Sequence, residues 1–313
     1  MQPYSQQQIA FMALVVPTLI IMITGCNTKA SSNNNPQPTS STQVSVKNEP
    51  STLKIAVLVN INDAQKQEQQ QALIEYLNKT LKRPVSIEGA KDYDTAVNLL
   101  VEEKVQVAGL GPLTYIEAKQ RNSQIEPIAA PINKSTGRPW YKSAIIINSA
   151  SGIKTIDDLK GKRLGFVSKL STSGYMFPVV HLLDLGFNFD SDFASVQFFK
   201  SHPNTLAALL DGQVDAVAVE LDIYNQAKET GKINDSYQVI WTSEPIPQSP
   251  IVVSQKLPPE VITALKDAFI SSPIGMLNFG GVPSNGYTIV QDSDYDRVRE
   301  VKKQLNEKME NAK

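Results

Sequence analysis

Three hydroxyl side chains stand in a row at residues 171–173, within the stretch KLSTSGYMFP (169–178). A single Ser or Thr at a helix start is an ordinary N-cap, whose oxygen accepts a backbone N–H. Three hydroxyls beside the free N–H groups of a helix can also surround an anion, because the helix dipole places roughly half a positive charge there. Gly174 removes a side chain near the turn and permits close approach. These residues alone are compatible with both an N-cap and an anion cradle.

A histidine and two carboxylates follow the next two predicted strands. His202 follows SVQFFK, and Glu220 and Asp222 end VDAVAVELD. If these strands run parallel to the one before Ser171, all four residues lie at one edge of a sheet. A histidine at a helix start stays neutral and donates a hydrogen bond, whereas a carboxylate faces an oxyanion only by sharing a proton or meeting a cationic tail. The alternatives are a loop histidine and ordinary acids of helix starts.

Tyrosines elsewhere in the chain offer a phenol donor and an apolar wall in one residue. They are Tyr93 in AKDYDTAV and Tyr141, which follows Trp140 in RPWYKSA. A strand ending in Gly111-Pro112 also predicts a helix start. For each of these residues taken alone, packing is the alternative to ligand contact.

Catalysis is not indicated by these residues. Ser173, His202 and Asp215 are the types found in a triad, but no G-x-S-x-G turn presents the serine and no acid is evident to orient the histidine. Two histidines and one cysteine provide no metal-ligand cluster. We therefore expect a protein that is not an enzyme, with no catalytic residue, metal or cofactor.

The charge balance excludes an obvious nucleic-acid partner. The 313 residues include 30 Lys+Arg and 31 Asp+Glu, and no basic face stands out. The chain is long enough for two lobes with their own cores, and we expect it to act as a monomer.

The N-terminus resembles that of a bacterial lipoprotein. Residues 9–23 form an uncharged apolar run, too short for a comfortable membrane span and suited to a signal peptide. The run is followed by TGC, which ends at Cys26, the only cysteine, as in a lipobox. Ile23 stands where Leu is usual, and no Lys or Arg precedes the run; an uncleaved anchor is the alternative. The resemblance implies a signal peptide over 1–25, a lipid anchor on Cys26 and a periplasmic or cell-surface location.

The chain after Cys26 divides into a polar segment and an α/β pattern. Residues 26–52, rich in Asn, Pro and Ser, predict a disordered tether. From Leu53 strands alternate with helices, and the alternation restarts after residue 150, which predicts two α/β lobes. Extended segments at 141–148 and 237–254 predict two hinge crossings. The expected lobes are 53–145 with the return 244–313, and 146–243.

The order of motifs resembles the substrate-binding proteins of phosphonate/phosphite-type ABC transporters. The matching stretches include GLGPLTYIEA, DLKGKR, STSGY, SHPNTLAALLDGQVDA and IPQSPIVV, and the likeness runs from Leu53 to about Ser272. The resemblance implies a two-lobed type 2 periplasmic-binding fold. It also implies capture of a small phosphorus oxyanion and delivery to a membrane permease. A lipoprotein sensor of the same ligand is the alternative.

The resemblance also implies a set of ligand-binding residues. They are Tyr93, Tyr141, Ser171, Thr172, Ser173, His202 and one of the pair Glu220 and Asp222, together with the position of Ser249. Ser249 stands where an acid is common in the family. The absence of an acid at this position favours a ligand without an aminoalkyl tail, such as phosphite, methylphosphonate or phosphate.

Overall fold

The computed structural model describes residues 50–58, 64–276, 278 and 282–311, so the predicted signal peptide and Cys26 lie outside the described part. The strands are β1 (Leu53–Leu58), β2 (Val85–Ala90), β3 (Val107–Gly109), β4 (Ile125–Asn133), β5 (Trp140–Tyr141), β6 (Ser143–Asn148), β7 (Arg163–Phe166), β8 (Ser195–Phe198), β9 (Ala216–Glu220), β10 (Tyr237–Thr242), β11 (Ile246–Pro247), β12 (Ile251–Ser254) and β13 (Ser284–Thr288). The α-helices are α1 (Ala64–Leu81), α2 (Tyr93–Val101), α3 (Pro112–Arg121), α4 (Phe177–Asp184), α5 (His202–Leu210), α6 (Leu221–Glu229), α7 (Pro259–Ile270) and α8 (Asp296–Asn311).

The strands form two sheets, one in each lobe. The first sheet has the order β2-β1-β3-β12-β4-β13 and the second has the order β8-β7-β9-β6-β10. β1, β2 and β3 run parallel in the first sheet, and β7, β8 and β9 run parallel in the second. In each sheet the strand that follows a crossing, β12 or β6, lies antiparallel beside them. This arrangement confirms the predicted α/β class.

The chain passes twice between the sheets, from β4 to β6 and from β10 to β12. The two passages pair with each other through the short strands β5 and β11, where Ile246 lies opposite Tyr141. The predicted two-lobed fold with two hinge crossings is therefore confirmed.

Burial explains the run of three isoleucines in β6. Ile145, Ile146 and Ile147 of β6 are all fully buried, as expected for a sheet covered by helices on both faces. The amphipathic α8 buries Val298 and Leu305 and packs against both α3 and α4. None of the described helices is long and apolar enough to traverse a bilayer.

The predicted helix from Ser171 onward begins with a π-helical turn, Thr172–Met176, before α4. Pro178 has no N–H to donate to the preceding turn, and the carbonyls in that turn take donors from elsewhere. The Ser173 carbonyl accepts from Ser143 Oγ at 2.6 Å, and the Gly174 carbonyl accepts from the Val167 N–H at 3.0 Å. These outside bonds allow a proline in the first turn of α4.

Two strands were not predicted from sequence. β4 contains Pro127 and Pro131, which argue against a strand because proline cannot donate to a ladder. The pairing of β4 with β12 shifts register between Ile251 and Val252, and its pairing with β13 shifts between Ser284 and Tyr287. β13 lies at the end of a Gly-rich segment, which gives little sign of a strand. It is the edge strand of the first sheet and pairs with β4.

Candidate anion-binding site

Three strand-to-helix junctions of the second lobe place the predicted polar residues at one edge of its sheet. β7 pairs in parallel with both β8 and β9. The three junctions after these strands contain the hydroxyl cluster, His202 and Glu220. β7 is the switch point of this sheet, since its neighbours β8 and β9 lie on opposite sides of it, and ligands bind at such points in open α/β sheets.

The three hydroxyls have three different environments. Ser171 Oγ accepts from the Gly174 N–H at 3.0 Å and is an N-cap. Thr172 Oγ1 accepts from the Leu113 N–H at 2.9 Å, at the start of α3 in the first lobe. Ser173 Oγ is buried, with 1% of the residue exposed, and has no hydrogen-bond partner among the described residues. The N-cap interpretation therefore holds for Ser171 and leaves Ser173 to be explained.

Gly174 is required by contact rather than by backbone conformation. A Cβ at this position would lie 2.3 Å from Val167 Cγ2 and 2.8 Å from Ser171 Oγ. The turn therefore packs directly on the strand end, which brings the first N–H groups of the helix against the site.

His202 is held as a neutral hydrogen-bond donor. Its Nδ1 accepts from the Glu220 N–H at 3.0 Å. An accepting Nδ1 carries no proton, so the proton of the neutral ring is on Nε2, which is left to donate. Burial lowers the pKa of His202 to about 4, which keeps the ring uncharged at neutral pH.

The two predicted tyrosines are buried beside the hydroxyls. Tyr93, the first residue of α2, approaches Ser171, and burial raises its pKa to about 12. Burial also raises the pKa of Tyr141, whose phenol lies near Ser173 and Thr172. The negative charge of ionised Glu220 also raises the pKa of both phenols. Both tyrosines therefore remain protonated donors.

Glu220, rather than Asp222, shares this environment. Burial, and secondarily the charge of Asp222, raises the pKa of Glu220 to about 8. The carboxylate of Asp222 instead accepts from Asn133 Nδ2 and, at 3.1 Å, from Ser135 Oγ in the first lobe. The sequence did not decide which of the two acids faces the ligand. In the structure Glu220 lies beside the tyrosines, whereas Asp222 binds the first lobe.

Two further residues considered from the sequence, Ser249 and Asp215, form hydrogen bonds outside the hydroxyl cluster. The N–H of Ser249 donates to Gln248 Oε1 at 3.2 Å, and the adjoining Pro250 carbonyl accepts from Leu110 near the start of α3. The carboxylate of Asp215 accepts from Arg163 Nη2 at 2.7 Å and from the backbone N–H of Arg163 at 2.9 Å. Asp215 does not orient His202, so these residues form no triad.

Three participants were missed by the sequence interpretation. Leu113 contributes a backbone N–H, Ser143 supports the Ser173 carbonyl, and Asn133 binds Asp222. Gly111-Pro112 indicated a helix start beside Leu113. Because the N-cap Gly111 has no side chain to accept a helix N–H, the Leu113 N–H is available to another acceptor. Ser143 and Asn133 carry no sequence signal of this role.

Two known proteins are similar to this chain in sequence. The chain is 25% identical over 277 residues to the phosphate-import protein PhnD of Mycolicibacterium smegmatis, covering 80% of this chain and 85% of that protein. It is 29% identical over 203 residues to the phosphonates-binding periplasmic protein of Escherichia coli K12, covering 62% of this chain and 56% of that protein.

Solved structures share the fold. PhnD1 of Prochlorococcus marinus, in complex with methylphosphonate, superposes with a TM-score of 0.73 at 19% identity, over 82% of this chain and 99% of that one. The binding-protein component of a phosphonate ABC transporter from Pseudomonas aeruginosa also gives 0.73, at 20% identity, over 84% and 89%.

The family model described as "ABC transporter, phosphonate, periplasmic substrate-binding protein" matches residues 55–301, most of the chain. Proteins of this family bind a substrate for transport and are not enzymes, in agreement with the sequence interpretation. The chain belongs to the family of periplasmic substrate-binding proteins of phosphonate ABC transporters.

Proposed function

We propose that the site between the lobes captures a small phosphorus oxyanion, namely phosphite, methylphosphonate or another phosphonate, through neutral hydrogen-bond donors. The observation that carries the proposal is the buried Ser173 hydroxyl, which lies beside the Tyr141 phenol and makes no hydrogen bond of normal geometry within the described part of the chain. A buried polar group without a partner costs about 1–3 kcal/mol, and an oxygen of a bound anion removes that cost. His202 Nε2 provides a second donor from the neighbouring junction.

The donors act without a formal positive charge. The polar groups that act on the pKa values of Tyr93 and Tyr141 are serine and threonine hydroxyls, the Glu220 carboxyl and, for Tyr141, the Tyr93 phenol. Helix N-termini contribute partial positive charge where the hydroxyls lie. Such a site selects by hydrogen-bond number and shape, because a P–H or P–CH₃ group needs an apolar wall where a fourth oxygen needs a partner.

Phosphate is the alternative ligand, and one observation favours it. The relative with 25% identity over 80% of this chain bears the name of a phosphate-import protein. The E. coli relative is named for phosphonates, and the PhnD1 structure contains methylphosphonate. Glu220, held protonated by burial, has a proton with which to meet a fourth oxygen.

Titration calorimetry of the purified protein with phosphite, methylphosphonate, 2-aminoethylphosphonate, phosphate and sulfate tests the proposal. We expect one-to-one binding of a phosphorus anion and a loss of at least tenfold in Ser173→Ala and His202→Ala. Ser191→Ala, at an exposed serine of the same lobe, is the matched control. If none of the five anions binds, or if binding is unchanged in both site variants, the proposed site is wrong.

We also propose that residues 1–25 are a signal peptide, that Cys26 is lipidated and that the remaining tether holds a monomer at the membrane. The TGC sequence after an apolar run supports the anchor. Sheet membership supports the proposed lobe division, 53–145 with 244–313 against 146–243, except that β6 of the second sheet begins at Ser143, before the first boundary.

A further inference from the structure

Asp222 joins the two lobes close to the first hinge crossing. It lies in the first turn of α6, which follows β9 of the second sheet. Its carboxylate accepts from Asn133, the last residue of β4 in the first sheet, and from Ser135 Oγ at 3.1 Å. Asp222 Oδ2 accepts from Asn133 Nδ2, and Asp222 Oδ1 shares the single hydroxyl hydrogen of Ser135 with Asn133 Oδ1. Asp222 is therefore a contact between lobes, separate from the Ser173 and His202 donors.

The turn that presents these donors is fixed by its own hydrogen bonds. Asn133 Oδ1 accepts from the Ser135 N–H at 2.8 Å and from Ser135 Oγ at 2.6 Å. The Asn133 carbonyl accepts from the Gly137 N–H at 2.9 Å, and Gly137 has a φ of 65°, a conformation that favours glycine. Because the donors are already ordered, little side-chain entropy is lost when they meet the carboxylate.

The start of α6 is also tied to the crossing itself. The Leu221 N–H donates to the Lys142 carbonyl at 2.9 Å, one residue before β6 begins. In the sheet, Ser143 lies opposite Glu220. Rotation of the second lobe about this crossing would therefore move the Asp222 carboxylate relative to the turn at 133–137. Another direct contact between lobes is that of Thr172 Oγ1 with the Leu113 N–H.

We propose that Asp222 is a positioning residue that stabilises the closed arrangement of the lobes through Asn133 and Ser135 and does not contact the ligand. Because its charge-assisted hydrogen bonds join the two lobes, they favour closure whichever ligand is bound. This role goes beyond the proposed function, because it concerns the hinge rather than the oxyanion. Loss of the carboxylate is expected to lower the closed-to-open ratio about tenfold, the size of one charged hydrogen bond.

Spin-label distances across the cleft test the proposal without any ligand. Labels at Asp94→Cys and Asn204→Cys, two exposed positions at the starts of α2 and α5, report lobe separation in a Cys26→Ser background. We expect Asp222→Ala to move population from the short to the long distance. Asp211→Ala, an exposed acid of the same lobe, is the control and should leave the distribution unchanged. Equal distributions in wild type and Asp222→Ala would overturn the proposal.

A double-mutant cycle identifies the partner. Ser135→Ala alone should open the lobes, and it should have no additional effect in the Asp222→Ala background. Fully additive effects would show that the two residues act separately and would refute the contact. Asp222→Leu, which has a similar shape and no hydrogen-bond acceptor, gives the same comparison if Asp222→Ala folds poorly.

Ligand titrations separate positioning from direct contact. A residue that acts through closure weakens binding of phosphite, methylphosphonate and phosphate by one common factor. Losses that differ strongly among the three anions would place Asp222 against the ligand and contradict the proposal. If no anion binds at all, the oxyanion function fails while the spin-label result still decides the role of Asp222.

Discussion

The burial of Glu220 gives the native state a pH-dependent stability that one substitution isolates. Burial raises the pKa of Glu220 from 4.5 to about 8, with the charge of Asp222 as the second cause. Between these pH values the native state holds a proton that the unfolded chain releases. The free energy of unfolding therefore falls as pH rises through this window, by about 1.4 kcal/mol per pH unit.

His202 contributes a slope of opposite sign at lower pH. Burial lowers its pKa from 6.5 to about 4, so the unfolded chain binds the extra proton and the free energy of unfolding rises with pH from 4 to 6.5. The two slopes cancel where the windows overlap, between pH 4.5 and 6.5. Above pH 6.5 the Glu220 slope remains, and it amounts to about 2 kcal/mol between pH 6.5 and 8.5.

Urea denaturation followed by circular dichroism at pH 6.5 and 8.5 measures this difference. Glu220→Gln keeps the side-chain shape and cannot ionise, so its free energy of unfolding should fall about 2 kcal/mol less than that of the wild type. Glu229→Gln, at an exposed glutamate on α6, is the matched control. If the pH dependence of Glu220→Gln equals that of the wild type, the buried protonated carboxyl is refuted.

Three further substitutions test the site and the anchor. Gly174→Ala should lower the free energy of unfolding by about 1–3 kcal/mol, because the added Cβ would lie 2.3 Å from Val167 Cγ2; urea denaturation measures this, and an unchanged midpoint would refute the contact. Thr172→Val leaves the Leu113 N–H without its acceptor and should weaken oxyanion binding about tenfold in calorimetry, whereas unaltered affinity would show the contact to be dispensable. Cys26→Ala should move the protein from the membrane fraction to the soluble fraction after cell lysis, and a variant that stays with the membrane would contradict the lipid anchor.

The parallel strands were predictable because their apolar runs alternate with helical patterns. The segment RLGFV followed by STSG, for example, has both a buried strand and a helix-start signal, and β7 and the following π-helical turn lie there. The hydroxyl cluster, His202 and Glu220 follow successive strands, so parallel pairing was enough to place them at one edge. This inference needed no side-chain detail.

Features that depend on distant partners were not predictable. β4 contains two prolines that argue against a strand, and only its neighbours β12 and β13 show where the irregular register tolerates them. Glu220 and Asp222 are two residues apart with similar chemistry, yet the turn at 133–137 engages only the second. The pairing of a carboxylate with a donor far away in sequence depends on the three-dimensional fold, so the sequence pattern alone does not show it.

A crystal structure of the protein with methylphosphonate tests the central claim most directly. The account predicts the phosphorus group between the lobes, with one oxygen within hydrogen-bond distance of Ser173 Oγ and another accepting from His202 Nε2. Asp222 is predicted to remain bound to Asn133 and Ser135. A ligand held elsewhere, or one bound in the cleft by lysine or arginine side chains while Ser173 Oγ stays without a partner, would contradict the account.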